Sequence, residues 1–249
     1  MNLLLDLGNS RLKWVCVENG QFSVVQSLSN SQITCPALTS LWCELRPQKI
    51  AISCVGNTAL LEIITLTIKQ LWGEISPYFA KSQAQACGVV NGYQQPEKLG
   101  VDRFLALVAV RQKTHLPVCV IDCGTAITVD ILNSHGQHQG GLICAGLSLM
   151  KKALAVNTAD LPLVEVANPV FFAKDTQTAI FNGTLFAACG LIEKVMTQLP
   201  ENITLFLTGG DALQISSQLN RPFCLETDLV LKGLNILSFQ SVTTQKVSA

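Results

Sequence analysis

The chain has 249 residues, enough for one large domain or two of ordinary size. Hydrophobic residues make up 49% and charged residues 14%, a balance that supplies a sizeable core and excludes a disordered chain. Lys and Arg together number 17, as do Asp and Glu, with no basic run and no acidic tail, so nucleic acid is not an expected partner.

In chain order, Leu3–Leu5 and Leu12–Val17 flank Asp6-Leu7-Gly8-Asn9-Ser10. Gly and Asn admit the φ > 0 conformations of a tight turn, so the pattern predicts a β-hairpin, with a third strand at Phe22–Gln26. Pro36 opens a short helix to Leu45, and Ile50–Val55 reads as a buried strand. Leu60, Leu61, Ile64, Ile68 and Leu71 recur at helical spacing and predict a helix over Thr58–Trp72. The polar stretch Ser82–Leu99 reads as a loop. Phe104–Gln112 reads as a helix that Pro117 ends. The second half opens as the first did. Val118–Ile121 is a strand, Asp122-Cys123-Gly124-Thr125-Ala126 a turn, and Thr128–Leu132 another strand. Gly140-Gly141 and Gly146 mark a turn before a helix over Leu147–Val156. A long helix, Gln177–Gln198, leads to a strand at Thr204–Leu207 and the loop Thr208-Gly209-Gly210-Asp211. Helices near 211–219 and 228–238 follow.

Two copies of one strand–turn–strand device point to a duplicated α/β unit, too long in period for a solenoid. The expected organisation is two lobes, residues 1–115 and 116–249, joined by Asp102–His115. Met1-Asn2-Leu3-Leu4-Leu5 meets Asp6 without the pattern of a signal peptide, and apolar runs such as Phe104–Val110 are too short for a bilayer. A cytoplasmic protein with no membrane partner is expected. Its ten cysteines, scattered without CxxC or a Cys/His cluster, read as reduced and mostly buried thiols.

A glycine turn at a hairpin tip exposes backbone N–H groups that can cradle phosphate oxygens. Asp6 at the strand end is placed to hold Mg²⁺ through water, and Lys13 lies on the outgoing strand. An ordinary Asx-type turn with a solvated Lys explains the first copy equally well. The second copy strengthens the nucleotide reading, since two acidic glycine turns can take the two sides of a polyphosphate; Thr125 could donate its hydroxyl and Asp122 could hold a cation. Thr208–Asp211 is a third glycine turn, of a kind common between strand and helix. Gly100-Val101-Asp102-Arg103 opens a helix, where Asp102 serves either as a cap or first-turn acid or as a base for a hydroxyl proton. In the second case Arg103, with Tyr93 from the preceding loop, would fix an acidic substrate.

In order, Asp6-x-Gly-Asn-Ser-x-x-Lys13, Tyr93-x-x-Pro96, Gly100-x-Asp-Arg103, Asp122-x-Gly-Thr-Ala-x-Thr-x-Asp130, Gly140-Gly141, Thr176-x-x-Ala-Ile-x-x-Gly183 and Thr208-Gly-Gly-Asp211 resemble the type III pantothenate kinases over about residues 3 to 235. The resemblance implies a two-lobed actin/hexokinase/Hsp70-like (ASKHA) fold of duplicated ribonuclease-H-like domains, a homodimer, and ATP-dependent phosphorylation of pantothenate at the first step of coenzyme A synthesis. It implies that Asp6, Leu7, Gly8, Asn9, Ser10, Arg11, Leu12 and Lys13 bind ATP together with Thr125, and that Asp6 lies near Mg²⁺. It implies that Asp102 accepts the proton, that Tyr93, Gly100, Val101, Asp102 and Arg103 contact pantothenate, and that Asp122 holds a monovalent cation, K⁺ or NH₄⁺. Thr176 would reach pantothenate from across the dimer, with Thr178 two residues away as the alternative. Ala145 departs from the family, which usually has Pro before this glycine.

Two other readings share the turns: a phosphohydrolase of the exopolyphosphatase kind, which should show a more basic channel, and a non-catalytic nucleotide or metabolite sensor. Ala179, Gly183, Ala187 and Gly190 form a small-residue stripe on one predicted helix, suited either to a second copy or to the chain's own core.

Overall fold

The protein was analysed as a computed structural model that describes residues 1–165 and 170–240. The chain divides into two compact units. One comprises residues 1–115, 136–138 and those described from Asp228 on; the other comprises 116–135 and 139–227.

In the first unit, β1 (Asn2–Leu7) and β2 (Arg11–Glu18) pair as an antiparallel hairpin with Asp6 opposite Lys13. The expected third strand is split. β3 (Gln21–Phe22) and β4 (Gln26–Ser29) both pair with β2, because Ser23 turns its hydroxyl to accept from the Cys16 N–H between them. Left-handed residues occur at Asn19 (φ 51°) and Gly20 (φ 79°), between β2 and β3, rather than at Gly8 or Asn9. Asn-Gly is the preferred pair for such a two-residue turn. Helix α1 (Cys35–Trp42) stops three residues before Leu45. Strand β5 (Lys49–Cys54) adds parallel to β1. Helix α2 (Thr58–Trp72) starts where expected, because Asn57 accepts the Leu60 N–H at 3.1 Å as its N-cap.

Strand β6 (Tyr78–Phe79) adds to β5, and within the expected loop β7 (Gln85–Ala86) and β8 (Val89–Val90) form a small hairpin. Helix α3 (Val101–Lys113) follows and is almost wholly buried. The main sheet runs β3-β2-β1-β5-β6, with β4 beside β2. Both faces of β1 are covered, so Leu3, Leu4, Leu5 and Leu7 are all fully buried. Leu3, Leu5 and Leu7 join Ile64 and Ile68 of α2 in one core, where Trp42 lies between Trp14 and Trp72 at ring separations of 6.0 and 6.2 Å. Each such leucine contributes about 2 kcal/mol from burial.

In the second unit, β9 (Val118–Cys123) and β10 (Ala126–Leu132) repeat the hairpin. Strand β11 (His138–Ala145) adds beside β10, so Gly140-Gly141 lies inside a strand and not at a turn. Helices α4 (Leu147–Asn157) and α5 (Thr176–Met196) precede β12 (Thr204–Thr208), which pairs parallel with β9. Short helix α6 (Ala212–Ser216) and edge strand β13 (Cys224–Leu225) complete the unit. Its sheet order, β11-β10-β9-β12-β13, repeats that of the first sheet: an antiparallel hairpin with a further strand on its outer side, then two parallel strands. This repeat is the expected duplication.

Among the described residues, α5 is the one helix long and apolar enough by length and composition to cross a membrane, and half of it is buried. It escapes a search for uninterrupted apolar runs because Asn182 and Thr184 stand among its core residues Ile180, Phe181, Leu185 and Ile192. Helix α7 (Leu229–Asn235), extended by a π turn at Ile236–Gln240, returns to the first unit and packs on α3, β1 and β5. Cys119, Cys123 and Cys189 are buried thiols, whereas Cys43 and Cys224 are exposed, so the cysteines are less uniformly buried than expected.

Candidate active site

In the first unit the sequence Asp6–Lys13 spans the end of β1, a tight turn and the start of β2. The Gly8 N–H donates to the Arg11 carbonyl at 3.1 Å, and Asn30 Nδ2 donates to the Gly8 carbonyl at 3.0 Å, bracing the turn from the side. Asn9, Ser10 and Arg11 are exposed, while Leu7 and Leu12 anchor the turn in the core. A Cβ on Gly8 would meet only the Arg11 carbonyl oxygen, at an ordinary 3.5 Å. The fold itself therefore does not demand glycine here, and its absent side chain leaves backbone open to a ligand.

Asp6 is half-buried, opposite Lys13 on one side and Ser53 on the other. Lys13 Nζ is 3.0 Å from Asp228 Oδ1, a residue in left-handed conformation (φ 58°, ψ 38°) at the start of α7. The lysine is thus held by a carboxylate and does not extend freely from the strand.

Gly100 is the N-cap of α3, which places Val101 and Asp102 in its first turn. Asp102 Oδ1 accepts the Arg103 backbone N–H at 2.8 Å, so Asp102 is a first-turn acid and not the cap. Arg103 is buried, and its guanidinium donates to Tyr93 Oη at 2.8 Å while lying 5.6 Å from the centre of the Tyr93 ring. The structure thus brings together the pair that the sequence placed ten residues apart.

In the second unit, Asp122 is the last residue but one of β9, with Thr128 opposite on β10 and Thr208 opposite on β12. The turn closes through Gly124 N–H to the Ala126 carbonyl at 3.1 Å, and Thr125 is exposed. The Thr208–Asp211 loop folds onto it: Asp211 N–H donates to the Cys123 carbonyl at 2.9 Å. Gly209 has φ 96°, and a Cβ there would stand 2.5 Å from both Asp122 Oδ1 and the Cys123 carbonyl oxygen. The second and third glycine turns are therefore one packed assembly. Burial, reinforced by Asp122 and Asp211, pushes the Cys123 thiol up to about 12, so it stays protonated and unreactive at neutral pH.

Asp175 caps α5 by accepting the Thr178 N–H at 2.9 Å, and this bond holds its carboxyl below the ordinary range. Thr178 is half-buried, whereas Thr176 is exposed and lines a cavity of about 1140 Å³ between α4 and α5. Leu149, Met150, Leu154, Ala179, Gly183 and Ala187 form much of its wall. Ala179, Gly183, Ala187 and Gly190 are all exposed, so the small-residue stripe does not pack into its own unit. Leu149, Val156, Phe171 and Phe172 add exposed apolar surface, a feature that marks interaction sites.

Sequence reasoning passed over Asp228 and His138. The first gives only a common helix-start signal; the second stacks on Tyr93 at a centroid distance of 5.9 Å and an angle of 16°. Among the described residues no group of three or more His, Cys, Asp or Glu side chains forms a metal cluster.

Residues 2–198 match the family model described as type III pantothenate kinase. A protein of that name from Nitrosococcus oceani is 34% identical over 246 residues, covering 94% of this chain and 92% of the relative. Among solved structures, a protein from Campylobacter jejuni designated a candidate Baf family transcriptional activator superposes with a TM-score of 0.61 at 21% identity, over 94% of this chain and 96% of that one. A candidate 2-dehydro-3-deoxygalactonokinase from Sinorhizobium meliloti gives 0.57 at 12% identity, over 95% and 98% of the two chains. These likenesses agree with the repeated sheet order in assigning the actin/hexokinase/Hsp70-like fold. By its match along most of its length, the chain belongs to the type III pantothenate kinase family.

Proposed function

We propose that the chain transfers the γ-phosphoryl group of ATP to the primary hydroxyl of pantothenate, the first step of coenzyme A synthesis. The observation that carries this reading is the recurrence of an Asp-Gly turn at the matching strand end of two sheets of the same order, in a chain whose relatives bear that name along nearly their whole length. Within Asp6 to Lys13, the exposed turn Asn9 to Arg11 and the half-buried Gly8 offer backbone for the phosphates, and Thr125 offers a hydroxyl. Mg²⁺ is usually held by one or two carboxylates plus phosphate oxygens, and half-buried Asp6 beside an open turn fits that requirement. A monovalent cation with oxygen ligands fits Asp122, whose Oδ1 fills space that a side chain on residue 209 would take. Bound Mg²⁺ and K⁺ or NH₄⁺ supply neutralising charge to the polyphosphate.

Asp102 accepts the hydroxyl proton, while Tyr93, Gly100, Val101 and Arg103 hold pantothenate, with the guanidinium suited to its carboxylate. Most of the rate enhancement comes from positioning and charge stabilisation. ADP release should depend on pantothenate, and should rise several-fold when Na⁺ is exchanged for K⁺ or NH₄⁺ with Mg²⁺ present. Pantothenate-independent ADP release would overturn the acceptor, and equal rates in all three salts would remove Asp122 from the cation role.

A homodimer completes this reading. The exposed stripe on α5 and its apolar surroundings suit a second copy of the chain, which would bring Thr176 to the partner's substrate. Sedimentation should show a dimer at micromolar concentration. A Cβ on Gly183 would meet nothing within 4 Å, so Gly183→Arg is tolerated by the protomer's own fold. It should give a folded monomer without turnover; a fully active monomer would rule out the shared site. The enzyme works in the cytoplasm, without nucleic acid or membrane as partner.

A further inference from the structure

The segment Gly136–His138 belongs to the first unit although β11 continues into the second. It lies along the loop that carries Tyr93. Val90 forms a parallel bridge with Gln137, and the Val90 N–H donates to the Gly136 carbonyl at 2.8 Å. Gly92 is pressed against the His138 carbonyl so closely that a Cβ there would overlap its oxygen. Asn91 locks the same loop: its Nδ2 donates to the Gln83 and Pro96 carbonyls, and its Oδ1 accepts the Tyr93 N–H at 3.0 Å. The backbone of Tyr93 is therefore fixed by Asn91, and its ring lies on the imidazole of His138, which is only 3% exposed. An offset pair at 5.9 Å and 16° is a favoured aromatic geometry. Beyond the ring, Tyr93 Oη accepts from Arg103 at 2.8 Å.

The geometry points to His138 as a positioning residue for the acidic substrate: its ring is the platform that sets Tyr93 against Arg103 and so fixes the direction of the guanidinium fork. This rests on the pantothenate reading for the identity of that substrate. The role belongs to the ring face and not to proton transfer, so an aromatic ring of similar size should perform it. The effect of His138 should be confined to the acid substrate.

His138→Ala should raise KM for pantothenate by about tenfold, the upper range of an aromatic pair, with KM for ATP unchanged and kcat within about threefold. His138→Phe should restore most of the loss and also controls for the hole that Ala leaves. The chain has two tyrosines, Tyr78 and Tyr93, so ring-labelled tyrosine gives two NMR signals that Tyr93→Phe assigns. The Tyr93 signal should shift in His138→Ala, as the ring current above it is lost, while Tyr78 stays in place. An unmoved Tyr93 signal overturns the platform whatever the substrate is. Equal damage from Ala and Phe, or an equal rise in both KM values, also overturns it. A wild-type protein that does not phosphorylate pantothenate overturns the substrate reading instead, and the Tyr93 signal still decides the platform.

Discussion

Asp102→Asn should leave a folded protein that binds pantothenate but turns over about 100-fold more slowly, or worse, the usual scale for loss of a general base. The local structure makes this a clean replacement. Gly100 caps α3 without any side-chain bond, so no cap is lost. Asp102 Oδ1 accepts the Arg103 N–H at 2.8 Å, and an amide oxygen can accept the same bond. Loss of one negative charge from the first turn costs about 0.5 kcal/mol through the helix dipole. Turnover, thermal unfolding and pantothenate binding should be measured on one preparation. Normal turnover with a lowered melting temperature would reduce Asp102 to a dipole partner, and the base would have to be sought elsewhere.

The main strands and the Asp-Gly turns between them were legible in the sequence, because the signals for them are local. Six-residue apolar strands broken by Asp-x-Gly are visible without a structure, and Asn57 before an apolar helical pattern fixes the start of α2. The misses share a different cause. Two-residue strands such as β7, β8 and β13 exist only because another edge is there to pair with. Gly140-Gly141 carries a turn signal, and Gly140 does take a positive φ of 102°, yet the pair lies within β11 beside β10 and not between two elements. The Asn19-Gly20 pair did have a local hairpin signal, and the expectation placed the turn chemistry at Gly8-Asn9 instead.

Long-range pairings at the site were invisible for the same reason. Lys13 meets Asp228 across 215 residues, and nothing near either residue announces it. That contact changes the chemistry expected of Lys13. An ammonium already 3.0 Å from a carboxylate carries less net attraction for phosphate than a solvated one. In the proposed kinase the backbone of the Gly8 turn would therefore take a larger share of phosphate binding than the sequence alone suggests. Glycines at positions where a Cβ would fit, such as Gly8 and Gly124, support this division of labour.

Gly209→Ala should be strongly damaging to the second unit, whereas Gly210→Ala next to it should be nearly silent in stability. At Gly209 two penalties combine. The backbone is left-handed at φ 96°, where a Cβ is strained, and the new carbon would stand 2.5 Å from Asp122 Oδ1, Cys123 C and the Cys123 carbonyl oxygen. These are mostly backbone atoms at the end of a central strand, so they cannot swing aside as a flexible side chain would. Strain and overpacking together should cost about 3 kcal/mol or more, a fall of roughly 10 °C in melting temperature for a chain of this size. The damage should also reach function, because the loop can relieve the clash only by displacing Asp122 or by breaking the Asp211 to Cys123 bond. Stimulation by K⁺ or NH₄⁺ should then disappear even in the fraction that remains folded. At Gly210 a Cβ meets nothing within 4 Å and no left-handed backbone is required, so its melting temperature should stay within the roughly 0.5 kcal/mol scatter of surface changes. Thermal unfolding of the two variants side by side decides the matter: equal melting temperatures would mean that the third glycine turn is not packed on Asp122, and the coupling between the two loops would fall with it.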